Sequence, residues 1–209
     1  MPVKSHIEPQ PAQPLRQAYP EVADDDKEQL LADVRRHWLG RFIIILTGSI
    51  LIVIMLSFIF VLPSLASGSK INISAQDRVL IGLGFVTLAV LVGIGTFITL
   101  WIYNQSRMLI TDQNVIEVRQ LGLFSHKVAH LNMINVEDVS VTKKGILQTI
   151  FNYGTMTIET AGEEDNFTFP NTPNPDDYRG MVINAHEKAI ERVGRMGSTQ
   201  RVEIAHGGF

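Results

Sequence analysis

The sequence predicts an α+β membrane protein: a two-helix transmembrane hairpin, then a barrel or sandwich of short strands, capped by a C-terminal α-helix. Three observations carry this. Residues 42–69 and residues 79–106 contain no charged side chain, and a bilayer core about 30 Å thick is crossed by roughly 20 helical residues. Beyond the second window the apolar period switches to two, with Ile116 and Val118 alternating with Glu117 and Arg119, as in a half-buried strand. Near the end, Asn174-Pro175-Asp176-Asp177 opens an apolar stripe at helical spacing, with proline at the first helical position and acid in the first turn.

Residues 1–23 contain Pro2, Pro9, Pro11, Pro14 and Pro20 among polar residues. That composition offers little apolar surface to offset the entropy of ordering, so a disordered tail is expected. Asp24-Asp25-Asp26 then suits the first turn of a helix, where free N–H groups favour negative charge. Consecutive helical positions point in different directions, which disfavours a metal site there. Leu30, Leu31, Val34 and Trp38 follow at helical spacing, so residues 24–41 are expected to form an amphipathic helix at the membrane interface.

The first span is placed at residues 42–62. It is apolar all round, as lipid requires. A signal peptide is the alternative, since Ser64-Leu65-Ala66 resembles a cleavage site. The stretch starts about forty residues into the chain, however, and exceeds the roughly 7–15 residues of a signal core. A short external loop, residues 63–78, leads to the second span, residues 79–103. There Ala89 and Gly93 form a small-xxx-small pair of the kind that lets helix backbones approach. Packing within the hairpin is the favoured use, and a homo-oligomer contact the alternative.

Flanking charge sets the orientation. Arg35, Arg36 and Arg41 precede the first span and Arg107 follows the second, whereas the intervening loop carries only Lys70 and Arg78. The excess of Lys and Arg on cytoplasmic flanks places both termini in the cytoplasm. Trp38, Trp101 and Tyr103 fall at the same boundary, where amphipathic rings anchor a span.

In the soluble part, residues 104–193, strands are expected at 108–110, 115–120, 127–131, 137–142, 155–160 and 166–169. Val139/Val141, Met156/Ile158 and Phe167/Phe169 take one face each. Residues 111–114 form a turn, residues 145–151 a short helical turn and residues 161–165 an acidic hairpin tip. The last helix carries Tyr178, Met181, Val182, Ala185, Ala189 and Val193 on one stripe and stops at Gly194, leaving residues 194–209 as a flexible tail.

Catalytic and metal chemistry find no purchase. There is no cysteine, which removes thiolate zinc sites, disulfide frameworks and cysteine nucleophiles. His126 and His130 lie on a strand, where i and i+4 are about 13 Å apart at roughly 3.3 Å per residue. Glu163-Glu164-Asp165 lacks the calcium-loop pattern, and no P-loop, HExxH, G-x-S-x-G or dinucleotide fingerprint occurs. Neither span holds an ionisable residue, the usual mark of an ion path. A formal net charge of −3 gives no reason to expect nucleic acid. No cofactor, metal or catalytic residue is expected.

Three segments carry a family resemblance: "YNQSRMLITDQNVIEVRQLGLFSHK", "DVSVTKKGILQTIFNYGTMTIETAG" and the helix after "PNPDDY". With the two spans before them, they resemble the YdbS-like group of bacterial pleckstrin-homology-like (PH-like) membrane proteins. The resemblance covers roughly residues 28–193 and rests on order and spacing. It implies a PH-like barrel or sandwich with no established reaction chemistry, held at the cytoplasmic face of the bacterial inner membrane. Eukaryotic relatives of that fold bind phosphoinositides through basic residues on the first strand loop. Here that loop is residues 111–114, which hold no basic residue, so lipid recognition of that kind is not expected to carry over.

Residues 102–193 hold eight Lys/Arg against twelve Asp/Glu. An acidic domain is repelled by an anionic leaflet, since each basic residue near it is worth about 1 kcal/mol. Lys143 and Lys144 are the one local basic pair and the remaining candidate for a headgroup contact. The expected function is a non-catalytic interaction or scaffold module whose partners are the bilayer and an unidentified protein. The alternatives are a lipid-headgroup sensor and an accessory subunit of a larger membrane complex. The orientation is checked by fusing topology reporters at Phe209: an enzyme active only in the cytoplasm is expected to be active, and one active only outside to be silent.

Overall fold

A computed structural model describes residues 13–23, 28–67, 74–161 and 166–206. The chain divides into two compact units, one formed by residues 38–104 and the other by the residues on either side of them.

The first unit is a pair of helices, α2 (Trp38–Ser67) and α3 (Ala75–Gln105). Among the described residues these are the two helices long and apolar enough to cross a membrane. Both outrun the expected spans, so the loop is shorter than residues 63–78; residues 68–73 of it lie outside the described residues. Ser74 caps α3, its Oγ accepting the Asp77 N–H at 3.2 Å. The helices meet through small residues. The Tyr103 ring sits over Gly40, and Thr96 over Gly48, where any Cβ would collide with it. Ala89 is buried, and Gly93 faces the Ile52 side chain. The small-residue pair thus packs inside the hairpin, not on its outer surface. Phe60, Phe97 and most other large apolar side chains of the pair remain exposed.

The second unit holds a five-stranded antiparallel sheet. Its order is β1 (Gln13–Pro14), β2 (Gln29–Arg35), β3 (Arg107–Thr111), β4 (Asn114–Gln120) and β5 (His126–Asn132). The interfacial helix expected over residues 24–41 is absent: residues 29–35 are strand, and α2 begins at Trp38. The segment carries both periods. Leu30, Leu31, Val34 and Trp38 fit a helix, while in the strand Ala32 and Val34 alternate onto the core and a bulge before Ala32 turns Leu30 to the opposite face. Pairing with β3 decides between them, since tertiary contacts override weak local preference. Asp24-Asp25-Asp26 lies outside the described residues.

The order of pairing changes the meaning of the whole chain. Arg35 is opposite Arg107 and Val34 opposite Met108, so β2 and β3 are neighbours across the entire helical pair. The first connection between two long strands is therefore α2 and α3 themselves. Residues 111–114 form the second connection, not the first strand loop. The PH-like unit is likewise not confined to residues 104–193; it needs residues 13–37.

Residues 13–23 also depart from the expected disordered tail; residues 1–12 lie outside the described residues. Pro14 is tolerated on β1 because that strand is an edge. The short helix α1 (Leu15–Ala18) then drops Leu15, fully buried, onto the outer face of the sheet. There it meets Leu30, Leu109 and Ile116, with Tyr19, Val22, Ala23 and Val118 around them. The prolines drew attention away from this sparse set of apolar residues.

A second sheet, β6 (Val136–Thr142), β7 (Tyr153–Thr160) and β8 (Phe167–Pro173), faces the first. The turn Met133–Asn135 links the sheets, and α4 (Ile146–Ile150) joins β6 to β7. Between the sheets lie Val34, Met108, Ile110, Val115, Met156, Ile158 and Phe169, closed over by Tyr178, Val182, Ala185 and Ala189 of α5 (Pro175–His206). This is a sandwich with a capping helix; no closed barrel forms. The acidic tip at 163–165 lies outside the described residues. Helix α5 passes through Gly194, where a stop was expected, because an isolated glycine costs a helix only about 1 kcal/mol against alanine and no proline follows. Val193, the last residue of the stripe, lies beyond the core and is half exposed. Asn174 starts the helix at φ 41°, its side-chain oxygen accepting from Asn152 Nδ2. Leu15→Ala should lower the stability of the full chain by about 2–5 kcal/mol, read as a drop in the thermal midpoint in detergent; a free tail would show no change.

Candidate functional site

Strand register assigns both ends of the PH-like unit. Arg35, Arg107, Val118 and Val128 are successive cross-strand partners. The chain leaves this unit for α2 through Arg36 and His37, and returns from α3 through Ser106. Both passages thus occur at one end of the sheet, the junction end. The second sheet is fastened to the same end at His37. The His37 N–H donates to the Asn171 carbonyl at 2.6 Å, and its ring stacks on Tyr153 with centroids 4.8 Å apart.

Two apolar outcrops stand at this end. The first is the β4–β5 connection, where Leu121 and Leu123 are about half exposed and Phe124 is 99% exposed. The loop holds itself closed. The N–H groups of Leu121 and Gly122 donate to the Ser125 carbonyl at 2.9 and 3.2 Å, and Gln120 Nε2 donates to the Gly122 carbonyl. The second is α4, which ends three residues before Tyr153, the residue stacked on His37. Ile146, Leu147, Ile150 and Phe151 all face outward. Gly145 starts this turn at φ 85°, a left-handed conformation that costs glycine little. The Thr149 N–H returns to the Gly145 carbonyl.

Cations share this end. Arg35, Arg36, Arg107, Arg119, Lys127, Lys143 and Lys144 lie at or near the junction end by register. Glu28, Asp112, Glu137, Asp138 and Glu159 lie toward the opposite end. The acidic net charge of residues 102–193 conceals this segregation. Acids at the junction end are mostly paired. Asp33 accepts from Arg35 Nε at 3.1 Å and from the Tyr19 hydroxyl, a contact that raises the Arg35 pKa. Glu117 accepts from Arg119, which also donates to the Thr168 carbonyl. Arg107 lies over the Tyr19 ring at 5.2 Å and lines a cavity of about 280 Å³ with Tyr19, Glu21, Val22, Leu109 and Val118.

The predicted site residues separate here. Lys143 Nζ donates to Asn152 Oδ1 at 2.7 Å and pairs with Asp176. It ties the end of β6 to the start of α5, whereas Lys144 is exposed. Of the residues expected at the membrane boundary, Trp38 and Trp101 are exposed, and Tyr103 is buried against Gly40. Arg41 is exposed on α2. His126 and His130 stay on β5 as strand residues, and among the described residues no group of three His, Asp or Glu could hold a metal. The apolar outcrops were missed, although "LGLF" and "GILQTIF" put large apolar residues beside turn glycines, a signal that could have marked them.

A family model described as Bacterial PH domain matches residues 35–185. No curated protein and no solved structure matches the chain.

Burial between Tyr153 and the Asn171 backbone lowers the pKa of His37 below its ordinary value. The folded unit thus favours the neutral ring. That contribution to stability is complete above the unfolded pKa of about 6.5 and is lost as pH falls toward the lowered folded value. The thermal midpoint should fall more between pH 7.5 and pH 5 in the native chain than in His37→Phe, which keeps a stacking ring without the titration.

Proposed function

The chain belongs to the bacterial PH domain family, and on that premise we propose that it is a non-catalytic interaction module tethered at the cytoplasmic face of a bacterial membrane. PH-like domains as a class bind lipid or protein rather than perform reaction chemistry. The observation that carries the reading is the insertion of two membrane-length helices between the paired strands β2 and β3. A module on one flexible linker could search a volume. This one is joined to its helices by two short connections, Arg36 with His37 on one side and Ser106 on the other. At no more than about 3.6 Å per residue, such connections leave little reach. The role that fits is local: a fixed surface offered to proteins already in the same leaflet. Arginines on both flanks favour the cytoplasmic side.

Protein contact is favoured over headgroup sensing because the basic pair is half consumed by Asn152 and Asp176. The end away from the junctions supplies a surface for it. Ile134 and Val193, both half exposed, flank a cavity of about 160 Å³ beside the Asp112–Arg192 pair. The alternative of an accessory subunit using the Ala89–Gly93 face loses support, since that face is taken by α2.

Partner capture from the native membrane, with the partner identified by mass spectrometry, tests the reading. Ile134→Asp with Val193→Asp should lose the partner while the chain stays folded; retention of every partner would refute the assignment of this surface. Flexible Gly/Ser insertions are needed at both connections, after Arg36 and after Gln105, because either alone leaves the other tether in place. The double insertion should weaken partner capture, and full capture would make short tethering incidental.

A further inference from the structure

We propose that the two apolar outcrops at the junction end, the loop around Phe124 and helix α4, insert into the headgroup–acyl boundary of the same membrane that the two long helices cross. The inference rests on the tethering read above and adds a contact surface to it. Four observations carry it. Phe124 is fully exposed, Leu121 and Leu123 are exposed in the same loop, and Ile146, Leu147 and Ile150 are exposed on α4. Soluble surfaces seldom gather large apolar side chains in this way without a partner.

Exposure is built in rather than a result of fraying. Both outcrops satisfy their own backbones, through the Ser125 and Gly145 carbonyls. Both also lie at the one end of the unit where the chain passes into α2 and out of α3, fixed there by the Arg35, Arg107 and Val118 register and by the His37–Tyr153 stack. Finally, they are accompanied by Lys127 and Lys144, the pattern of an interfacial element whose apolar side chains enter lipid while cations meet anionic headgroups. A protein partner would need none of this coincidence with the helix junctions. Lipid requires it.

The absence of cysteine makes the test direct. Phe124→Cys and Ile150→Cys, each labelled with an environment-sensitive fluorophore, are placed as full chains in nanodiscs of phosphatidylethanolamine and phosphatidylglycerol. Val90→Cys, exposed on α3, reports on the spans, and Glu137→Cys, exposed at the far end, reports on solvent. Each label replaces an exposed side chain, so the core is untouched.

The labels at 124 and 150 are expected to shift to the blue. They should lose most of their emission to lipid brominated near the top of the acyl chain, while the label at 137 stays solvent-like. Quenching at 90 without quenching at 124 and 150 overturns insertion and leaves the tether standing. No quenching at 90 by lipid brominated deep in the acyl chain overturns the tether, and insertion with it. Labels at 124 and 150 that are shielded from aqueous iodide yet unquenched by brominated lipid show that protein covers them, which also overturns the proposal.

Discussion

The pairing of β2 with β3 is the constraint on which the rest of this molecule depends. Leu109 and Ile116 can be buried on the outer face of the sheet only because Leu30 arrives on β2 and Leu15 follows it. On the inner face, Val34 and Ala32 complete the wall against which the second sheet and α5 pack. The polar contacts at the far end depend on it as well. Glu28 accepts from Asn114 and from the Thr111 hydroxyl across a separation of more than eighty residues, and the Asp112 side chain accepts the Gln29 N–H. Remove β2, and β3 becomes a raw edge with an exposed apolar face.

That same pairing explains what could be read from the sequence and what could not. The two helices were legible because each is a long, unbroken run of apolar residues, and helix α5 because its start signals and stripe agree. Strands β3 to β8 were legible within a residue or two at most ends, through alternation at Ile116/Val118 and Met156/Ile158. Residues 29–35 were not, because an apolar spacing of one, three and four fits two periods at once. The deciding partner, β3, lies beyond two long helices. Leu15 was hidden for a related reason: one residue anchors that segment, and a single apolar side chain makes no period.

The junction end was harder still. Summed charge discards position, and position is what separates Lys127 and Lys144 from Glu137 and Asp138. Assigning ends needs register, and register here needs the long-range pairs. Lys143 illustrates the limit from the other side. As a sequence feature it is half of a basic pair; in the fold it is a strut between Asn152 and Asp176.

Insertion of the helical pair between adjacent strands also governs the order in which this chain can be made. Residues 29–35 leave the ribosome before either long helix exists, and must wait for residues 107–111 before they have a neighbour. The antiparallel helices shorten the wait in space, since Tyr103 returns to Gly40, and so lower the entropic cost of a closure across seventy intervening residues. Formation of the sheet is thereby made conditional on correct assembly of the helices. If the two helices cross a bilayer, as proposed above, a chain whose second helix failed to enter it would leave β2 and β3 on opposite sides, with no route to a core. Such a product would carry unpaired strand edges, so on that topology the folded sheet is itself the record of a completed helical hairpin.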